Sequence, residues 1–421
     1  MLDRTQNLGC GCESLRQDLM PLEAAVSLAM TGVAPVTGAE TVPLSQGVDR
    51  TAANNVLAPQ AMPFFDNSAM DGFAVNTSEC KSHAPLPILA TIAAGDAPSD
   101  LRPGSAARIY TGAPLPSGAD AVVMSELAEV NGDTVRFQLA PTPGDNIRRT
   151  GSDQPKGATL LRAGQRIAPR HIGLLAANGI ESCVVRRRVR VGVFSTGDEL
   201  TSKARVPGQI YDANRPMLMS LCAQMGAEVA DLGVLADDLS LTTRGFEGIG
   251  DQFDLVLTSG AVSIGGRDHV RAALLAAGGT LEGWRVAIKP GKPVAFGRLG
   301  NTVVTGLPGN PFASFVGFHL FVAPQIERLS GGTPKPFAAH SATADFAWKR
   351  KSGRAEVFPV KIAGHCADGL PKLTRLGASV SATLFPLAEA DGLAIVPAKT
   401  NSVEPGDCLE WHPFCSSGGV Q

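Results

Sequence analysis

Hydrophobic and polar positions change rhythm along the chain. Residues 21–30 (PLEAAVSLAM) place Leu22, Ala25, Val26 and Met30 at helical spacing, which predicts an amphipathic helix. From 38 to 180 the pattern switches to short alternating runs, such as 86–92 (LPILATI) and 119–124 (ADAVVM), divided by Gly/Pro clusters. That texture predicts an all-β region, with a short helix over 172–178 before the chain re-enters a strand. At 189–195 (VRVGVFS) a third regime begins. Strand-like runs follow at 229–235, 255–258, 285–288, 294–296 and 303–305, the earlier ones separated by helical patterns at 215–225, 241–249 and 270–277. A long helix over roughly 311–329 closes the set. Strands alternating with helices predict a parallel sheet covered on both faces. Residues 330–336 (SGGTPKP) read as a linker, after which β patterning returns at 356–362, 372–374 and 392–397.

Composition narrows the function more than the fold. The chain has 421 residues, enough for roughly two to four domains, with 44% apolar and 18% charged residues. A net charge of -2 gives no electrostatic case for nucleic acid or an acidic membrane, and 5% aromatics argues against a base-stacking surface. A small-molecule protein is expected. The N-terminus lacks the apolar core of a signal peptide, and the longest apolar run, 311–324, is too short to span a bilayer and contains His319. The eight cysteines are scattered; Cys10 and Cys12 have no second pair at ligand spacing and read as a reduced tail. The expected location is cytoplasmic.

Three glycine-rich turns between 254 and 313 carry the candidate chemistry. They read Thr258-Ser259-Gly260-Ala261-Val262-Ser263, then Ile288-Lys289-Pro290-Gly291-Lys292-Pro293, then Gly306-Leu307-Pro308-Gly309-Asn310-Pro311. Each follows an apolar run, and strand ends are where α/β sheets bind ligands. Small residues in the first turn let backbone N–H groups approach an anion, although the spacing is not the dinucleotide fingerprint. Gly291-Lys292 is not a P-loop, because Pro293 occupies the Ser/Thr position. Asn310-Pro311 predicts a helix start whose N–H groups and positive dipole end would favour a phosphate, with simple capping as the plainer use. Lys289 and Lys292 suit a phosphate or are two solvated surface cations.

Carboxylates mark the same strand ends. Glu199 ends the first strand of this region, Asp237 and Asp238 follow the second, and Asp268 follows the third. Their convergence on one sheet edge would suit a hard cation such as Mg²⁺, while helix capping is the competing role for Asp198, Asp238 and Asp268. In the β region, Asp66-Asn67-Ser68-Ala69-Met70-Asp71-Gly72 forms a polar island between apolar residues, and Arg108–Ala113 and Asn146–Asp153 add polar turns. Alone, these read as Asx-type turns.

Taken together, these motifs closely resemble those of the MoeA family of molybdopterin molybdenumtransferases, which includes the E domain of gephyrin. The resemblance runs from about Pro21 to Phe414. Its most specific part is the island 66–72, supported by Ser195-Thr196-Gly197-Asp198-Glu199-Leu200, 288–293 and 306–311. It implies a multidomain α/β plus β protein: a three-layer α/β molybdopterin-binding domain, an inserted β-barrel-like domain, an elongated mixed domain and a C-terminal β-barrel. The corresponding spans are 1–20 (tail), 21–57 with 158–188 (mixed, its helix packing on the α/β domain), 58–157 (inserted), 189–333 (α/β) and 334–421 (barrel). It also implies a homodimer with a shared cleft. The family's reaction takes adenylylated molybdopterin and molybdate, releases AMP with a divalent metal, and leaves molybdenum on the dithiolene sulfurs.

By resemblance, Glu199, Asp238 and Asp268 are the acidic residues around Mg²⁺ and pyrophosphate. Ser259, Gly260, Ser263, Lys289, Lys292, Pro308 and Pro311 line the cofactor, and Asp71, Thr111 and Asp153 are functional residues of the inserted domain. Arg148 and Arg149 could help hold an oxyanion. The chain departs from the family pattern at Ala261, where a second Gly is common, and at Gly266-Arg267 before Asp268. Two alternatives stay open: adenylylation of molybdopterin by ATP, one step earlier, and a non-enzymatic scaffold. A molybdopterin adenylyltransferase and recipient molybdoenzymes are the partners implied; nucleic acid and membrane are not.

Overall fold

The turn-rich sequence from Thr41 to Val185 and the sequence on either side of it fold as separate bodies, the second comprising Met1–Glu40 with Arg186–Gln421. The computed structural model describes residues 19–80, 84–201, 203, 205–235, 238–260, 269–337, 340–377 and 381–414. Cys10, Cys12, Asp237, Ala261, Ser263, Arg267 and Asp268 lie outside the described residues. The predicted N-terminal helix is α1 (Leu22–Ala29), which buries Ala25 and Ala29.

In the 41–185 body, six strands form one mixed sheet: β1 (Gly72–Val75), β2 (Leu86–Ile92), β3 (Ala106–Ile109), β4 (Ala121–Met124), β5 (Ala128–Asn131) and β6 (Thr134–Phe137). Their spatial order is β4-β1-β3-β2-β6-β5. Only β2 and β3 are parallel, and β2 slips register between Ile88 and Ala90. Both faces are covered, as the period of two requires: Phe73 and Val75 enter one apolar cluster while Ala74 enters another. The short helix is α2 (Pro169–Ala177), longer at its start than the sequence pattern indicated because Pro169 opens it.

The other body holds the α/β regime. Its strands are β7 (Arg190–Thr196), β8 (Glu228–Leu235), β9 (Leu255–Ser259), β10 (Thr280–Arg285), β12 (Pro293–Leu299) and β13 (Thr302–Leu307), with β11 (Ile288–Lys289) lying apart from them. The order is β8-β7-β9-β13-β12-β10, parallel through β13. β12 runs antiparallel to both of its neighbours, β13 and β10, so the sheet is mixed and not wholly parallel as the pattern predicted. The reason is local. β12 runs directly into β13 through a two-residue turn at Gly300-Asn301, too short for a crossover helix.

Helices cover both faces. α3 (Asn214–Gln224) contributes Leu218 and Cys222 to the cluster containing Val191, Val193, Leu255 and Leu257. α4 (Leu239–Phe246) and α5 (His269–Ala276) cover the opposite face, where Phe246, Val270 and Leu274 meet Phe194, Val256 and Val304. The predicted long helix is α6 (Pro311–Gly317), a π turn (Phe318–Val322) and α7 (Ala323–Leu329). α1 packs here, with Ala25 and Ala29 in one cluster with Val294, Phe312 and Phe321.

The C-terminal β pattern closes into a barrel. Its strands are β14 (His340–Ala344), β15 (Ala355–His365), β16 (Pro371–Arg375), β17 (Gly392–Val396) and β18 (Cys408–Pro413), in the order β15-β16-β14-β18-β17 with β17 returning to β15. Closure removes every free edge, and Phe358, Val360, Leu373 and Trp411 fill the interior. β11 lies parallel to the start of β15, pairing Ile288 with Ala355 and Lys289 with Glu356. The strand expected over 285–288 is therefore divided, its first residue ending the α/β sheet and its last joining the barrel. No helix among the described residues is long and apolar enough to cross a membrane.

Candidate active site

The C-terminal ends of β7, β9 and β13 open on a cleft of about 790 Å³, where an open α/β sheet binds ligands. Glu199, Ser259, Gly260, Pro308 and Pro311, all expected from the sequence, line it. Two glycines hold its turns in place. At Gly197, φ is +139° and a Cβ would sit 2.5 Å from Glu199 Oε2, so the glutamate carboxylate folds back against bare backbone. At Gly260, φ is +96° and a Cβ would lie 2.5 Å from Thr196 Oγ1 and 2.8 Å from the Thr196 carbonyl oxygen. Thr196 Oγ1 donates to the Ser259 carbonyl at 3.1 Å, and Gly260 N–H donates to the Leu307 carbonyl at 3.0 Å.

Asn214 joins two of the turns, a role the sequence did not reveal. Its Nδ2 donates to Ser259 Oγ and to the Gly309 carbonyl, both at 2.7 Å. Its Oδ1 and the Ser195 hydroxyl are buried without a hydrogen-bond partner among the described residues. Both belong to residues lining the cleft, and an unsatisfied buried acceptor there is a receptor for a ligand donor or a cation. The only sequence signal was Asp212-Ala213-Asn214 before a helical run, legible as a helix start and nothing more. Asp212 is held 3.0 Å from Arg215 Nε.

The α6 start differs from its expected role. Asn310 makes no side-chain cap; its Nδ2 donates to Ser381 Oγ at 3.0 Å. The Phe312 and Ala313 N–H groups donate to the Ser381 carbonyl at 3.1 and 3.3 Å. A loop between barrel strands β16 and β17 thus satisfies the first free donors of the helix, leaving less for an anion than the sequence implied.

The two lysines are separated. Lys289 Nζ lies 2.9 Å from Glu356 Oε1, and that buried carboxylate also lies 3.4 Å from Arg350 Nε. Lys289 therefore borders a second, cation-rich cleft of about 370 Å³ with Arg350, Arg354 and Arg375. Lys292, half-buried, lines neither cleft; its carbonyl closes the turn by accepting from Val286 N–H at 2.8 Å. Asp238 also lies outside both linings. It is exposed and caps α4, its Oδ1 accepting from Leu241 N–H at 2.8 Å.

In the 41–185 body, Asp71 Oδ1 accepts from Thr111 N–H at 2.7 Å and from Thr111 Oγ1 at 2.9 Å. These bonds hold the exposed carboxyl below its usual range. Asp66 is built alike: Thr150 N–H at 2.8 Å lowers it most, with Arg149 Nη1 at 2.7 Å. The polar island is thus two carboxylates, each clamped by a threonine from a later turn. Asp153 is exposed, its N–H donating to the Met62 carbonyl at 3.1 Å, and Arg148 is exposed on a short strand pairing with Asn67.

Three family models match successive parts of the chain: the MoeA N-terminal region (domain I and II) over 20–179, a probable molybdopterin binding domain over 192–328, and the MoeA C-terminal region (domain IV) over 341–414. A molybdopterin molybdenumtransferase from Haemophilus influenzae is 39% identical over 343 residues, covering 80% of this chain and 85% of that protein. The chain belongs to the MoeA family of molybdopterin molybdenumtransferases. A second member, molybdopterin molybdenumtransferase 2 of Mycobacterium tuberculosis, is 37% identical over 88% of this chain and 94% of its own length. A crystal structure of a molybdopterin biosynthesis MoeA protein from Pyrococcus horikoshii superimposes with a TM-score of 0.77 at 30% identity, covering 95% of this chain and all of that one. The MoeA assignment accounts for the α/β sheet, the 41–185 insertion and the closed barrel together.

Proposed function

We propose that the larger cleft binds adenylylated molybdopterin and that the chain releases AMP from it while molybdenum passes to the dithiolene sulfurs. The observation that carries this reading is the Asn214 bridge. It sets the Ser259-Gly260 turn against the Gly309 turn, with buried oxygens of Asn214 and Ser195 left for the ligand. Glycine at 260 lets the turn close against Thr196, where a Cβ would collide. The anhydride P–O bond to AMP breaks as an oxygen nucleophile bonds to phosphorus. The dithiolene enters as two thiols: two Mo–S bonds form, one molybdate oxygen is displaced, and the two thiol protons carry it off as one water.

Glu199 offers cleft-lining carboxylate oxygens that suit a hard cation such as Mg²⁺, whereas both Asp212 oxygens are taken by Arg215, its backbone N–H at 3.1 Å and its Nε at 3.0 Å. Among the described residues no three His, Cys, Asp or Glu side chains gather into a ready-made metal site. Mg²⁺ suits that arrangement, since it takes one or two carboxylates and completes its shell with phosphate oxygens and water. Glu199 would hold it, with Asp268 as the second carboxylate of the proposal; when bound, the ion neutralises pyrophosphate charge. Lys289, Lys292, Pro308 and Pro311 stay in the proposal as residues around the anion, and Asp71, Thr111 and Asp153 as functional residues of the 41–185 body. The acting species is a cytoplasmic homodimer, which sedimentation should report as twice 43.6 kDa.

The deciding measurement is AMP release from adenylylated molybdopterin with molybdate and Mg²⁺. Wild-type protein should release AMP, and Glu199→Gln should lose at least about tenfold in rate with a raised Mg²⁺ requirement, one anionic ligand being gone. Steady pyrophosphate release from ATP and molybdopterin would instead establish the adenylyltransferase alternative.

A further inference from the structure

The residues lining the larger cleft divide by chemistry. Ser195, Ser259, Asn214 and Asn310 present polar atoms, whereas Leu200, Ile210, Tyr211, Leu235 and Val270 present apolar surface. Tyr211 is the only Phe, Tyr or Trp among the described residues that line it. It sits in a short parallel pairing in which Leu200 opposes Ile210 and Thr201 opposes Tyr211. The Ile210 N–H donates to the Glu199 carbonyl at 2.8 Å, which fixes the backbone beside the ring to the same turn that carries Glu199. Although anchored in this way, Tyr211 is 55% exposed. The Arg205 guanidinium carbon lies over one face of the ring, 5.1 Å from its centroid, bringing positive charge against it, so a ligand ring would stack on the other face.

An aromatic side chain left half in water contributes little to a core, and its two rotatable bonds make it a rigid contact at low entropy cost. Apolar surface, a flat ring and an adjacent cation together complement a phosphate-bearing planar heterocycle. We infer that Tyr211 is the stacking platform for one of the substrate's two flat heterocycles, the adenine or the pterin. This rests on the assignment of the cleft to adenylylated molybdopterin. The polar turns would then take the phosphates while Tyr211 and its apolar neighbours take the ring. Tyr211 is a specificity residue on this reading: it selects for a planar base without contacting the reacting phosphorus.

The test is calorimetric titration of the full-length protein with AMP and, separately, with molybdopterin. Tyr211→Ala should weaken binding of one of the two roughly five- to hundredfold. The ligand affected names the ring that stacks. Tyr211→Phe, which keeps the ring, should bring affinity back to within about threefold of wild type, whereas a hydroxyl hydrogen bond would leave Phe as weak as Ala. Thermal midpoints of both variants should match wild type, since the residue is mostly solvent-facing. If Tyr211→Ala binds both ligands as tightly as wild type, the stacking role is refuted while the cleft assignment stands. If wild-type protein binds neither AMP nor molybdopterin, the cleft assignment falls and takes this inference with it.

Discussion

Replacing His319 by glutamine should remove a specific part of the protein's acid sensitivity. His319 lies in the π turn between α6 and α7, its ring 4.6 Å from Phe315, 5.5 Å from Phe318 and 5.5 Å from His412 by centroid, with Phe337 and Phe414 beyond. Burial among these rings, and secondarily the His412 imidazole, push its pKa down to about 3. In the unfolded chain the same group titrates near 6.5. Above that value it is neutral in both states and contributes no pH dependence. As pH falls from about 6.5 toward 3, only the unfolded chain takes up the proton, so stability is lost over that window. Between pH 7 and pH 5 the loss from this one group is about 2 kcal/mol. His412, lowered by burial and then by His340, adds to the same slope, so the variant should keep part of it. The assay is urea unfolding at both pH values, followed by tryptophan fluorescence; Trp411 is buried one residue from His412. The pH 7 to pH 5 difference should shrink by about 2 kcal/mol in His319→Gln, whatever the absolute stability of the variant. An unchanged difference would mean that His319 is protonated in the folded protein or already shielded in the unfolded one, and the reasoning fails.

Gly260→Ala should cost at least about tenfold in AMP affinity by calorimetry, because its Cβ would collide with Thr196 Oγ1 and the Thr196 carbonyl at a φ of +96°. Wild-type affinity in that variant would show that the Ser259-Gly260 turn does not approach the ligand. Gln325→Leu should lower unfolding free energy by about 1–3 kcal/mol. It removes the bridge in which Thr305 Oγ1 donates to Gln325 Oε1 at 2.8 Å and Gln325 Nε2 donates to the Ala29 carbonyl at 2.8 Å. Stability within about 0.5 kcal/mol of wild type would mean water replaces the bridge.

The local pattern of the sequence carried the regular elements. The short apolar run 255–258 produced β9, buried on both faces, with Leu255 and Leu257 in one cluster and Val256 in the other. Gly197 and Gly260 marked tight turns, because positive φ is a property of a few consecutive residues. The polar island and the order of the motifs also sufficed for the family resemblance. Partner choice was a different matter. Lys289 and Lys292 are three positions apart and looked equivalent, yet Lys289 meets Glu356 because β11 pairs with β15, a strand more than sixty residues later. Asn310 looked like a helix cap until Ser381 arrived from the loop beyond β16. Asp238 is the converse: its sequence fitted a metal ligand or a helix cap, and the cap, to the Leu241 N–H, is a contact within four residues. Asn214 showed no distinguishing neighbour in sequence, because what it bridges lies 45 and 95 residues away. Periodicity, capping residues and turn glycines act over a few residues and can be read in one dimension. A polar side chain takes whichever partner the closed fold brings within 3 Å, and only the tertiary structure decides that.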